Sequence, residues 1–165
     1  MRMAQEFSFD VVSDFDHQEL VNAIDQARRE IGTRYDFKNL TAEIELEKEQ
    51  LILTTEGDMQ LRAMTDVIKS KFHKRHLDLK VLDPQKPEAA AKGRLRQVIK
   101  LRRGINDELA RKLHKQIRAD HPKVQVRIQG DQLRVTAKDK DALQGVIAAL
   151  RGEDVDVPLQ FTNYR

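Results

Sequence analysis

The spacing of apolar residues changes along the chain, and each change marks an element. FSFDVV (7–12) reads with period two, as a strand does. Asp16, with Glu19 three positions on, resembles a helix-capping box, and Leu20, Ile24, Ala27 and Ile31 then follow helical spacing. Ala42, Ile44 and Leu46 alternate with Glu43, Glu45 and Glu47, which predicts a strand with an acidic open face. Lys48-Glu49 makes the turn into LILTT (51–55). A second helix is predicted from about Asp58, carrying Leu61, Met64, Ile68 and Phe72, and LDLKVL (77–82) closes the series as a strand.

The series is then written again. EIELEKEQLILTTEGDMQL (43–61) matches QVRIQGDQLRVTAKDKDAL (125–143) at a constant offset of 82, with Leu46 over Ile128, Leu51 over Leu133, Leu53 over Val135 and Thr54 over Thr136. Between the copies, DPQKPEAAAK (83–92) has two prolines within four residues and reads as a linker. The second copy predicts a strand over 94–101, a helix from Asn106, strands over 124–129 and 133–137 about a Gly130-Asp131 turn, a helix with Leu143, Val146, Ile147 and Leu150, and a strand over 157–161. The expectation is an α+β chain made of two βαββαβ units of the ferredoxin-like type, residues 1–82 and 93–165. In such a unit both helices cover one sheet face and leave the other open.

KGRLRQVIKLRR (92–103) holds six basic residues and no acid. Leu95, Ile99 and Leu101 fall on one face with Gln97, while Arg94, Arg96, Lys100 and Arg102 fall on the other, interrupted by Val98. On the periodicity alone, Gln125, Arg127, Gln129, Arg134, Thr136 and Lys138 would extend this into one wide cationic surface of the second unit. The overall charge conceals the contrast between halves. Residues 1–82 carry 12 Lys and Arg against 16 Asp and Glu, and residues 83–165 carry 18 against 11. A basic half of this kind attracts anions or the acidic half itself.

Composition removes several classes of function. There is no cysteine, hence no disulfide, thiolate metal site or thiol catalysis. No apolar run is long enough for a membrane helix, and the N-terminal residues do not read as an export signal, so the cytoplasm is the expected location. The chain lacks a nucleophile elbow, an HExxH pair, a phosphate-binding P-loop and a GxGxxG turn, and no enzyme activity, metal or cofactor is expected. His73 and His76 stand near a helix end without a suitably spaced carboxylate. The strands over 43–47, 51–55, 125–129 and 133–137 contain no aromatic residue, so the base-stacking chemistry of an RNA-recognition sheet is missing from them.

Aromatic and cationic residues do occur together in RYDFK (34–38) and in FTNYR (161–165). Tyr35, Phe37, Phe161 and Tyr164 are candidates for stacking on a base. Arg34, Lys38, Arg94, Arg96, Lys100, Arg102 and Arg134 are candidates for phosphate, which requires Arg, Lys or backbone N–H donors. Phe37 and Phe161 equally suit anchoring a loop and a terminus to the core.

SFDVVSDFDHQELVNAIDQARREIGTRYDFK (8–38), VQVRIQGDQLRVTAKDKDALQGVIAAL (124–150) and VPLQFTNYR (157–165) resemble the bacterial YajQ family of nucleotide-binding proteins, with Asn39 standing where the family suggests glycine. The resemblance implies a tandem pair of ferredoxin-like domains that exchange their first strands. It implies a guanine nucleotide ligand such as cyclic di-GMP, a regulatory partner such as a transcription factor, and RNA as the alternative ligand. Strand exchange would set the basic strand beside the acidic one, where Glu43, Glu45 and Glu47 could pair with Arg94, Arg96 and Lys100. Ladder partner and ligand site are both open uses of the cations.

Overall fold

Two antiparallel sheets take up the strands of residues 5–165, which the computed structural model describes. Among these residues are nine strands and four α-helices: β1 (Phe7–Val12), α1 (His17–Thr33), β2 (Ala42–Glu47), β3 (Gln50–Thr55), α2 (Asp58–Lys74), β4 (Leu82–Pro84), β5 (Glu88–Ala89), β6 (Leu95–Leu101), α3 (Asp107–Asp120), β7 (Gln125–Gln129), β8 (Gln132–Ala137), α4 (Lys140–Arg151) and β9 (Gln160–Thr162). They divide into a continuous unit, Phe15–Arg102, and a split unit made of the segment up to Asp14 with Arg103–Arg165.

In the continuous unit the strand order is β2-β3-β6-β4, with the short β5 beside β6; in the split unit it is β7-β8-β1-β9. β6 occupies in one sheet the place that β1 occupies in the other, which is the exchange of first strands between two ferredoxin-like repeats. The apolar face of each exchanged strand closes the core of its adopted sheet. Ile99 and Leu101 pack with Ile24, Ile31, Leu53, Met64, Ile68 and Phe72, whereas Phe9 and Val11 pack with Leu113, Ile117, Leu133, Val135 and Val146.

Helix ends follow local chemistry. The Asp16 side chain accepts from the N–H groups of Gln18 and Glu19, as an N-cap does, but Glu19 turns away to bind Arg75 through two bonds of 2.7 and 3.0 Å, so the box is only half formed. Asn106 caps α3 through Leu109 N–H. Asn39 has φ 63°, the left-handed region that glycine favours and asparagine tolerates. Gly104 has φ 82°, and a Cβ there would lie 2.6 Å from Oδ2 of Asp131, so conformation and close approach both require glycine.

Three expectations from the sequence are corrected. Residues 77–82 are not one strand: Asp78 accepts from Lys80 N–H, the chain makes a 3-10 turn at Leu79–Val81, and only then does β4 begin. The last strand is Gln160–Thr162 rather than 157–161, because Val157 and Pro158 are buried and proline has no N–H for a ladder. The wide cationic surface does not form as one sheet, because β6 joins β3 and β4 while Arg127, Arg134 and Lys138 remain with the other sheet.

Each sheet has an edge strand whose central carbonyl is engaged by a helix. Ile44 O accepts from Arg28 Nε and Nη2 at 3.0 and 2.8 Å on β2. Val126 O accepts from His114 Nε2 at 3.1 Å on β7. Arg28 and His114 each directly follow a buried residue of their helix, Ala27 and Leu113. Occupying an edge carbonyl leaves less of the strand open to pairing with another chain.

Candidate functional site

The open face of the continuous unit is built by register. β3 pairs with β2 on one side, Glu43 opposite Thr54, Glu45 opposite Ile52 and Glu47 opposite Gln50. It pairs with β6 on the other, Thr54 opposite Arg96, Ile52 opposite Val98 and Gln50 opposite Lys100. Residues in register share a face. The rows therefore run Glu43–Thr54–Arg96, Glu45–Ile52–Val98 and Glu47–Gln50–Lys100. Charge passes from acidic on β2 through neutral on β3 to basic on β6, over two strand spacings or ~9.6 Å. The middle of the face is apolar: Ile52 is only 6% exposed although it lies opposite the helices, and Val98 is half-buried.

This register corrects the expected ladder pairing of glutamates with arginines. β3 stands between the two strands, and the acids nearest the cations come from elsewhere, with Glu88 opposite Arg96 and Asp83 opposite Lys100. Among the described residues no carboxylate lies within ion-pair distance of Arg94, Arg96 or Lys100. Arg102 is engaged, with Nη2 3.1 Å from Asp83 Oδ1 and Nη1 donating to Lys80 O at 3.2 Å.

The RYDFK turn lies in the same unit. Arg34 binds Asp36 in a fork, 3.0 and 2.7 Å, and its guanidinium lies 5.5 Å from the centre of the Phe37 ring. The bonded Asp36 carboxylate raises the pKa of Arg34, and Arg34 in turn lowers that of Asp36. Phe37 is buried in the core, Lys38 is exposed, and Tyr35 is 88% exposed.

The remaining sequence candidates belong to the split unit. Arg134 projects from β8 on the open face of that sheet and binds Asp10 at 2.9 and 3.3 Å, while Asn163 Nδ2 donates to the same carboxylate at 2.8 Å. Asp10 is nearly buried, and the Arg134 hydrogen bond, followed by that of Asn163, holds its pKa below the ordinary aspartate value against the opposing effect of burial. Phe161 is half-buried, edge-on to Phe9 at 6.0 Å, with Arg151 lying 5.6 Å from its centre. Tyr164 is 58% exposed and 6.1 Å from the Phe9 ring.

The sequence thus singled out the cations of 94–100 and set Glu43, Glu45 and Glu47 directly beside them as ladder partners, without counting the acids among the site residues. Their alternation was visible. What periodicity could not supply is the order β2-β3-β6, which sets them across the face from the cations instead of against them.

The family model described as nucleotide-binding protein YajQ-like matches residues 7–165. A nucleotide-binding protein of Synechococcus sp. (strain CC9605) is 53% identical over 165 residues, covering 99% of this chain and all of the relative. Nucleotide-binding proteins of Chloroflexus aurantiacus (strain ATCC 29366 / DSM 635 / J-10-fl) and Synechococcus elongatus (strain ATCC 33912 / PCC 7942 / FACHB-805) are 55% identical over 165 residues and 56% over 163, with the same coverage.

Proposed function

The chain belongs to the YajQ-like nucleotide-binding protein family, and on that premise we propose that it is a non-enzymatic receptor for a guanine nucleotide, cyclic di-GMP in particular, held on the open face of β2, β3 and β6. The observation that carries the reading is the charge gradient across that face. Arg94, Arg96 and Lys100 present donors to phosphate without a competing ion pair. Guanine carries N–H donors on its pairing edge, which a carboxylate accepts, and Glu43 and Glu47 stand two strands from the cations. That span is comparable to the reach from the pairing edge of guanine to its own phosphate. Val98, half-buried, offers apolar surface for a flat base, with Ile52 nearly buried in the same row. Two acid-to-cation rows, through Thr54 and through Gln50, suit a ligand with two guanines and two phosphates. Signal transfer to a protein partner such as a transcription regulator follows from the receptor reading.

Arg94→Glu with Arg96→Glu is expected to weaken cyclic di-GMP binding by at least tenfold in calorimetry, about 1.4 kcal/mol. The variant should remain folded: the new glutamate at 96 faces Glu88 on the two-residue β5, a repulsion of about 0.2–1 kcal/mol. Unchanged affinity in a well-folded double variant would reduce the cations to a structural role. RNA is the second reading, favoured by the run of free cations on one strand. A single strand touching six phosphates should show a log–log salt slope of roughly −4, against about −1 for a dinucleotide. A steep slope with RNA and no dinucleotide binding would select it.

No hydrolysis of cyclic di-GMP, GTP or ATP is expected, because the sequence offers no phosphate-binding loop to position a phosphoryl group for attack. Turnover by the purified protein that disappears on substitution of one carboxylate would overturn this.

A further inference from the structure

A cavity of about 330 Å³ opens in the split unit between α4, the start of β1 and the chain after β9. That volume lies in the range of small-molecule sites. Its floor is apolar, with Leu143 and Ile147 of α4 both nearly buried. Its walls carry two aromatic rings, Phe7 and Tyr164. Lys140 stands at its rim with Nζ 4.9 Å from the centre of the Phe7 ring, and Gln144 adds an amide.

Tyr164 is 58% exposed, yet the residues on either side of it are fixed. Asn163 donates to Asp10 at 2.8 Å, and Arg165 exchanges backbone hydrogen bonds with Ser8 at 3.0 and 3.2 Å. These bonds resume the pairing with β1 one residue out of register, after a bulge at Asn163 (φ 59°), and so fix the backbone on both sides of the tyrosine. A large, exposed aromatic ring on a rigid backbone is the arrangement that receives a flat ligand at low entropic cost. The cation at the rim adds preference for an anion on that ligand.

We propose that this cavity is a second ligand site, taking a planar aromatic ring that bears a phosphate and is of mononucleotide size. The ring stacks on Tyr164 over Leu143 and Ile147, and Lys140 holds the phosphate. The inference uses no residue of the β2-β3-β6 face, so each can fail without the other.

The chain has no tryptophan and two tyrosines, Tyr35 and Tyr164. In a Tyr35→Phe protein Tyr164 is the only tyrosine, and its emission reports the site directly. The probe is GMP, with guanosine and ribose 5-phosphate as the halves of the molecule and N-acetyltyrosinamide correcting for light the base absorbs. Saturable quenching by GMP is expected, with weaker binding of guanosine and no quenching by ribose 5-phosphate. Lys140→Glu should weaken GMP at least tenfold without harming the fold, since an acid suits the first turn of α4. Tyr164→Leu, followed by calorimetry, should weaken it by at least as much. The Arg94→Glu, Arg96→Glu double variant should quench as the parent does, which separates this site from the sheet face. Absence of saturable quenching would overturn the proposal, and so would GMP affinity left unchanged by Lys140→Glu or by Tyr164→Leu.

Discussion

Residues 15–102 expressed alone should fold cooperatively, whereas residues 1–82 and 93–165 expressed alone should not. The reason is the exchange. Phe15–Arg102 contains α1, β2, β3, α2, β4, β5 and β6, which is every element of its sheet and core. Cutting at 82 removes β6 from the centre of that sheet. Leu51 then loses Ile99 across the ladder, and Leu53 loses Gln97. Two open strand edges replace one closed interior, and the buried faces of Ile99 and Leu101 are lost with them. The fragment 93–165 fails for the matching reason, since β8 and β9 no longer have β1 between them and Phe9 and Val11 are missing from the core. Joining 103–165 to 5–14 through a short flexible linker should restore that unit. Denaturant unfolding followed by circular dichroism reads each outcome. Cooperative, monomeric folding of both 1–82 and 93–165 would contradict the exchanged arrangement.

Asp10→Ala should destabilise the protein by about 2 kcal/mol, a figure set by hydrogen bonds to a charged group and reduced for the partly exposed Arg134. The substitution leaves the Arg134 guanidinium and the Asn163 amide without their shared acceptor. The same carboxylate predicts a pH dependence. Its folded pKa lies below the unfolded value, so its contribution is complete above the unfolded pKa of about 3.9 and is lost as pH falls through the folded value. Acid unfolding of the parent should therefore be steeper below about pH 4 than that of Asp10→Asn, which keeps the size but does not titrate. Identical acid limbs for the two proteins would show that Asp10 carries no such linkage. Asn163 lies beside the Tyr164 pocket, so the Asp10 variants should also loosen that segment.

Element type and core faces were legible along most of the chain because each strand and helix keeps one clean period. Ile24, Met64, Phe72, Ile99 and Val146, all placed inward by spacing, are all buried. Sheet membership was not legible from period. Alternation states which face of β6 is apolar but not which sheet receives it, and only the resemblance pointed to exchange. Among the cations, sequence could not separate the free from the engaged. Arg134 finds its carboxylate 124 positions away at Asp10, and Arg102 finds Asp83 through a pairing of β4 with β6 that the proline-rich segment gave no reason to expect. Arg34 was the readable case, because its partner Asp36 lies two positions on. The pocket at Tyr164 was invisible for a similar reason, being assembled from both ends of the chain and α4.

The sheet-face reading is tested most directly by titrating cyclic di-GMP into the full chain and following backbone amide shifts by NMR. Saturable shifts are expected on 43–47, 50–54 and 94–100, the three strands of the graded face, with Ile52 and Val98 among the largest. Saturable binding whose shifts leave those strands untouched would contradict it, and so would shifts on those strands that persist at the same ligand concentration in the Arg94→Glu, Arg96→Glu protein.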